Sequence, residues 1–124
     1  MKIRRFEEIE SWKKAREWTK AVYTTTARQK FSRDFGLRDQ IQRASVSIMS
    51  NVAEGFDAGS DKGFVSFLRY AYRSASEVES LLYVAMDIGY IDKAEFDRRC
   101  EQAAETKRLI GGFIKYLKTV NSEQ

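Results

Sequence analysis

Between Gly36 and Gly55 the chain reads G-L-R-D-Q-I-Q-R-A-S-V-S-I-M-S-N-V-A-E-G, and its apolar residues return at helical spacing. At one residue per 100° of turn, Leu37, Ile41, Ala44, Ile48 and Val52 share a narrow stripe, which Ser45, Met49 and Ala53 widen on one side. Arg43, Ser47, Asn51 and Glu54 run along the other edge, three and four apart, so a polar line lies beside the apolar seam. Such a line is either paired in a partly buried network or set against another subunit.

The same period predicts three further helices. Residues 7 to 28 open on E-E-I-E-S-W, acidic groups at the positive end of a helix dipole, and continue with Trp12, Ala15, Thr19, Val22, Tyr23 and Thr26. Trp18 lies off that stripe, so either it touches another element or another subunit, or the stripe is wide. Residues 29 to 35, Q-K-F-S-R-D-F, hold no sustained period and read as a connection pinned by Phe31 and Phe35. The second helix spans about 34 to 54, with Gly55 placed as a left-handed C-cap.

Ser60 caps the third, 60 to 88, whose core positions are Phe64, Leu68, Ala71, Ala75, Val78, Leu82 and Met86. Tyr70, Val84 and Ile88 lie further round, so this helix is apolar on several sides. Glu79 projects inside the apolar arc and needs a partner, for which Arg43 or Arg73 is available. Gly89 ends the helix, and Asp92 caps a fourth over about 92 to 119, with Glu95 completing a capping box and Ile91 stapled to Phe96. Phe96, Cys100, Ala103, Ile110, Phe113, Ile114 and Leu117 form its stripe. Gly111 and Gly112 inside it cost roughly 1 kcal/mol each relative to Ala, which points to a close backbone approach or a bend. The tail V-N-S-E-Q is expected to fray.

Four amphipathic segments with short connections predict an all-α fold, an antiparallel up-and-down four-helix bundle. Composition agrees, because 124 residues suit one domain over 1–124, and zero Pro with 7 Gly leaves few helix breaks. No apolar run approaches a membrane span, and the start M-K-I-R-R-F-E-E is too charged for a signal peptide, so we expect a cytoplasmic protein with no membrane partner. A lone cysteine, Cys100, fits a reducing compartment and reads as a small core side chain.

Charge adds one asymmetry. Residues 1 to 43 carry twelve Lys/Arg against six Asp/Glu, whereas residues 44 to 124 carry ten against twelve. Lys13, Lys14, Arg16 and Lys20 make the polar face of the first helix basic. They are the candidate nucleic-acid contacts, and equally an ordinary solvated face.

Catalytic chemistry is poorly represented. With no histidine, the Glu-x-x-His di-iron sites of bundles, imidazole-based triads and most zinc sites have no ligand or base. Glu54 with Glu77 or Glu79 would bind a cation or share a proton only if they converged, and S-x-x-E-x-E on a helix usually serves capping and ion pairing. No phosphate-cradling glycine loop occurs. We therefore expect no enzyme activity, no cofactor and no metal.

The motifs F-E-x-I-x-x-W-x-x-A, F-G-L-x-x-Q-I-x-R-A-x-V-S-I-x-S-N-x-A-E-G, F-x-x-F-L-x-x-A, S-x-x-E-V-E and G-Y-I resemble a known family. It comprises bacterial four-helix bundle proteins encoded within intervening sequences of 23S rRNA genes, and the resemblance covers about residues 6 to 91. Ser32 and Met49 stand where that family often has Pro, and Ala58 where a basic residue is common, which leaves the fold and alters fine packing. The resemblance implies a left-handed bundle that assembles into a ring, typically a pentamer, with no established enzymatic activity and a poorly understood role. It also makes Gln40, Arg43, Ser47, Ser50, Asn51, Glu54, Ser74, Glu77 and Glu79 candidates for a polar network within or between protomers. A distant structural relation to nucleic-acid-binding accessory proteins of diversity-generating retroelements makes an RNA or DNA adaptor the alternative. The expected partner is the chain itself, because the second and third helices keep apolar surface that one protomer does not cover.

Overall fold

The structure is a computed structural model and describes residues 2–122, without the side chains of residues 121 and 122. It is all-α among the described residues, with four long helices and one short one. These are α1 (Glu10–Thr26), α2 (Gln29–Arg33), α3 (Phe35–Phe56), α4 (Asp61–Asp87) and α5 (Lys93–Ser122). Packing runs in a cycle, α1 on α3, α3 on α4, α4 on α5 and α5 back on α1. Each long helix therefore buries two flanks around one apolar cluster that includes Trp18, Ile41, Ile48, Leu68, Leu82, Ile110 and Leu117.

The first helix is shorter than its periodicity predicts. A 3-10 turn, Phe6–Glu8, precedes it, and Ile9 is extended and buried at the junction. That break lets Ile9 enter the core, while Phe6 meets Trp12 edge to face at 5.2 Å. Trp18 is fully buried inside the protomer, so its contact is with other elements of the same chain. Its indole N–H finds no acceptor among the described residues. Tyr23, placed on the stripe by period, is exposed, because the buried face is rotated toward Ser11, Ala15, Trp18, Val22 and Thr25.

Residues 29 to 33 form a short helix where an irregular connection was expected. Phe31 does pin it, buried against the ring of Tyr90 at 5.1 Å, but Phe35 is 64% exposed. Asp34 caps α3, accepting from the Leu37 amide at 3.1 Å. Gly55 is not a C-cap. The helix runs through it to Phe56, and a Cβ at Gly55 would lie 2.7 Å from Phe64, so the glycine serves the α3–α4 contact.

Ser60 caps α4 as predicted, accepting from Gly63 N at 3.0 Å. At its other end Gly89 has φ +84, with Gly89 N bonded to Met86 O and Tyr90 N to Ala85 O. This paired pattern is the Schellman motif that a left-handed residue permits. Asp92 caps α5 through the Glu95 amide at 2.8 Å. The Glu95 side chain does not return to Asp92; it turns inward. α5 continues past Thr119 to Ser122, so the expected fraying concerns only Glu123 and Gln124, which lie outside the described residues. Gly111 and Gly112 meet no close approach, since a Cβ on either would find nothing within 4 Å.

Candidate interaction surfaces

The residues proposed as a polar network divide into three groups. Gln40, Ser47 and Asn51 on α3 face Ser74 and Glu77 on α4. The Gln40 amide donates to Glu77 at 3.4 Å, the Ser47 and Ser74 hydroxyls lie 2.9 Å apart, and Asn51 Nδ2 donates to Ser47 O at 2.9 Å and to its Oγ at 3.0 Å. The Ser47–Ser74 and Gln40–Glu77 bonds tie α3 to α4 within the protomer, while Asn51 bonds back to Ser47 on its own helix. Arg43, Ser50 and Glu54 instead point outward and are exposed, and Arg43 Nε donates only to the Asp39 carbonyl at 3.4 Å.

Glu79 belongs to a different seam. It accepts from Lys107 of α5 at 2.8 Å, rather than from Arg43 or Arg73. On α4, Tyr72 and Glu79 lie on the flank toward α5, and Lys107 sits over the Tyr72 ring at 4.8 Å. Arg73 stacks on Tyr70 at 5.7 Å instead.

Around the α3–α4 seam the surface is partly apolar. Tyr70, Val84 and Ile88 recur at helical spacing on α4, in register with Ser74, Glu77 and the buried Leu81, and each of the three is at least 42% exposed. Val46 is exposed on α3. Large apolar side chains arranged in a row, beside outward polar groups, have the composition of a contact surface.

The basic face of α1 is less basic than its sequence. Lys13 pairs with Glu10 at 3.3 Å, and Lys14 pairs with both Glu17 and Glu105 of α5 at 3.3 Å. Those carboxylates, Glu105 first, hold the Lys14 ammonium above its ordinary pKa. Arg16 lies over Trp12 at 5.7 Å, and Lys20 is exposed. Glu7 and Glu17 border the same shallow groove as Lys13, Arg16 and Lys20, so its charge is mixed.

One polar cluster escaped the sequence reading. Glu95 is buried, accepts from Thr25 Oγ1 at 2.6 Å and from Arg28 Nη1 at 2.6 Å, and so clamps the end of α1 to the start of α5. The only sequence signal was a Thr and an Arg closing the first helix, opposite in order to a capping glutamate. Asp34 plays a similar double role, capping α3 while accepting from the Tyr90 hydroxyl at 2.9 Å. Cys100 is half-buried, and burial, then the Glu79 and Asp97 carboxylates, push its thiol pKa up, which disfavours the reactive thiolate. Among the described residues no group of three or more Cys, Asp or Glu side chains is placed to hold a metal ion, and no helix is long and apolar enough to cross a membrane.

Residues 7–112 match the family described as 23S rRNA-intervening sequence protein. The chain belongs to this family. That match extends beyond the resembling motifs into most of α5. The fold is also similar to the crystal structure of a protein of unknown function from the S23 ribosomal protein family of Bacteroides thetaiotaomicron. The two are 24% identical, with 85% of this chain and 98% of that chain covered and a TM-score of 0.77. At that identity the likeness concerns the fold. No curated protein matches the sequence. Neither the family description nor the neighbour's description names an enzymatic activity.

Proposed function

We propose that this protein is a non-enzymatic, homo-oligomeric helical module, a left-handed, antiparallel up-and-down four-helix bundle whose copies close into a ring, typically a pentamer. The observation that carries the reading is the exposed apolar row of Tyr70, Val84 and Ile88 on α4, beside Val46 on α3. A single protomer leaves this row in water, and contact with a second copy removes it. Antiparallel packing is supported by the order of the seam bonds, since Gln40 meets Glu77 while the later Ser47 meets the earlier Ser74. A ring needs two different surfaces that fit each other, and the outward Arg43, Ser50 and Glu54 supply polar specificity at the rim of one of them. We read the role as structural or scaffolding within the cytoplasm, because the polar clusters are ion pairs and caps that hold helices together.

Light scattering on the eluting peak of a size-exclusion column tests this directly. A mass several times 14.4 kDa is expected, and a stable species of 14.4 kDa at micromolar concentration would overturn the assembly.

A nucleic-acid adaptor is the second reading. The basic face of α1, Lys13, Lys14, Arg16 and Lys20, supports it only weakly, because Lys13 and Lys14 pair with carboxylates and leave fewer charges to meet phosphate.

A further inference from the structure

A second concentration of basic residues lies elsewhere. From Lys62 to Ser76 on α4 and from Thr106 to Ser122 on α5 there are seven Lys or Arg and no Asp or Glu. Asp61 borders this region at the start of α4, Glu77 follows the first stretch and Glu105 precedes the second, and Glu79 pairs with Lys107 at 2.8 Å. Because the start of α4 packs beside the end of α5, the two basic stretches lie on either side of one trough. Three clefts open along it, overlapping through Arg69, Gly111, Ile114 and Lys118, so they form one continuous path. Among the described residues Lys62, Arg69, Arg73 and Lys115 make no ion pair, in contrast to Lys13 and Lys14 on α1.

Two further features mark the trough. Gly111 is in its floor and Gly112 is adjacent, each at a cost in helix stability of roughly 1 kcal/mol, yet no neighbouring atom requires the missing side chain. Bare backbone in a groove admits close approach by something from outside. Exposed tyrosines also stand in or beside the trough, Tyr72 in its wall and Tyr70 and Tyr116 on the flanking helices. Cations already stack on two of these rings, Lys107 on Tyr72 and Arg73 on Tyr70.

We propose that the α4–α5 trough binds single-stranded nucleic acid, with Lys62, Arg69, Arg73 and Lys115 on the phosphates and Tyr72 stacking on a base. A positive groove with aromatic platforms is the combination that tracks an unpaired strand. Packed helices stand only about 8–10 Å apart, so a trough between two of them is too narrow for a duplex about twice as wide. An acidic peptide would satisfy the charge but would make no use of the rings. The site belongs to a single chain, so it does not rest on the proposed ring.

Fluorescence anisotropy with a labelled unstructured oligonucleotide, on the full chain and across a salt series, tests the proposal. Log affinity should fall linearly with log salt, with a slope corresponding to about three or four phosphates. Arg69→Glu with Arg73→Glu should weaken binding at least about tenfold, and Tyr72→Ala should weaken it without changing the salt slope. Arg69→Gln with Arg73→Gln, read beside circular dichroism and light scattering, covers the case in which charge reversal disturbs folding or assembly. In the unmutated protein, the amide resonances of Gly111 and Gly112 should shift on adding the oligonucleotide. The proposal is overturned by any of four results: no binding at low salt, tighter binding of a duplex, equal binding of polyglutamate, or loss that follows Lys13→Glu with Lys20→Glu while the Arg69 and Arg73 variants bind normally.

Discussion

Arg28 and Glu95, 67 residues apart in sequence, meet at 2.6 Å, with Glu95 buried and the guanidinium half in water. The pair joins the α1–α2 junction, just past the end of α1, to the first turn of α5, closing the cycle of helices where α1 and α5 have no covalent link. A buried carboxylate is tolerated because two donors, Thr25 and Arg28, take its two oxygens.

Removing the exposed partner should therefore be costly. Arg28→Ala leaves Glu95 with one donor and is expected to lower unfolding free energy by about 2 kcal/mol. Arg98→Ala, at an exposed position without an ion pair, should change it by less than about 0.5 kcal/mol. Urea unfolding followed by circular dichroism distinguishes the two, and equal midpoints would remove the clamp's energetic role.

Glycines at two places in similar helices should respond in opposite directions. Gly55→Ala forces a methyl toward Phe64 and Phe67, and overpacking should cost about 1–3 kcal/mol. Gly112→Ala meets open space and should gain up to about 1 kcal/mol from helix propensity. Thermal melting of both variants under one set of conditions checks the sign of each.

The apolar row on α4 gives a prediction about assembly that is separable from folding. Val84→Glu with Ile88→Glu changes two exposed side chains and should leave helicity intact while lowering the mass toward 14.4 kDa. An unchanged assembly would place the interface on another face.

Alkaline pH should act through Tyr90. Its hydroxyl bonds to Asp34, and that bond, with burial and the Asp34 charge behind it, raises the phenol pKa above the ordinary 10.0. The folded state thus favours the protonated ring. That stabilisation is complete below the unfolded pKa of about 10 and is lost as pH rises through the folded value. The melting temperature of the unmodified protein should fall more steeply above about pH 10 than that of Tyr90→Phe. Parallel curves for the two would show that this bond is not linked to protonation.

Periodicity and cap residues were enough to locate the four long helices, because an apolar stripe has one way to be buried and Ser60, Gly89 and Asp92 act on their own neighbours. The family, too, was legible from local motifs. What the linear chain could not carry was partner choice across space. Glu79 looked equally able to meet Arg43 or Arg73, and only the placement of α5 beside it selected Lys107. Glu95 has the spacing of a capping box, yet a buried carboxylate near the end of α1 gains more from Thr25 and Arg28 than from a backbone amide in water. Gly55 and Gly111 are alike as letters; packing gives one of them a phenylalanine to accommodate and the other empty space. Helix formation is decided within a few residues, whereas pairing and charge concentration depend on which helices become neighbours, and that is settled only when the core closes.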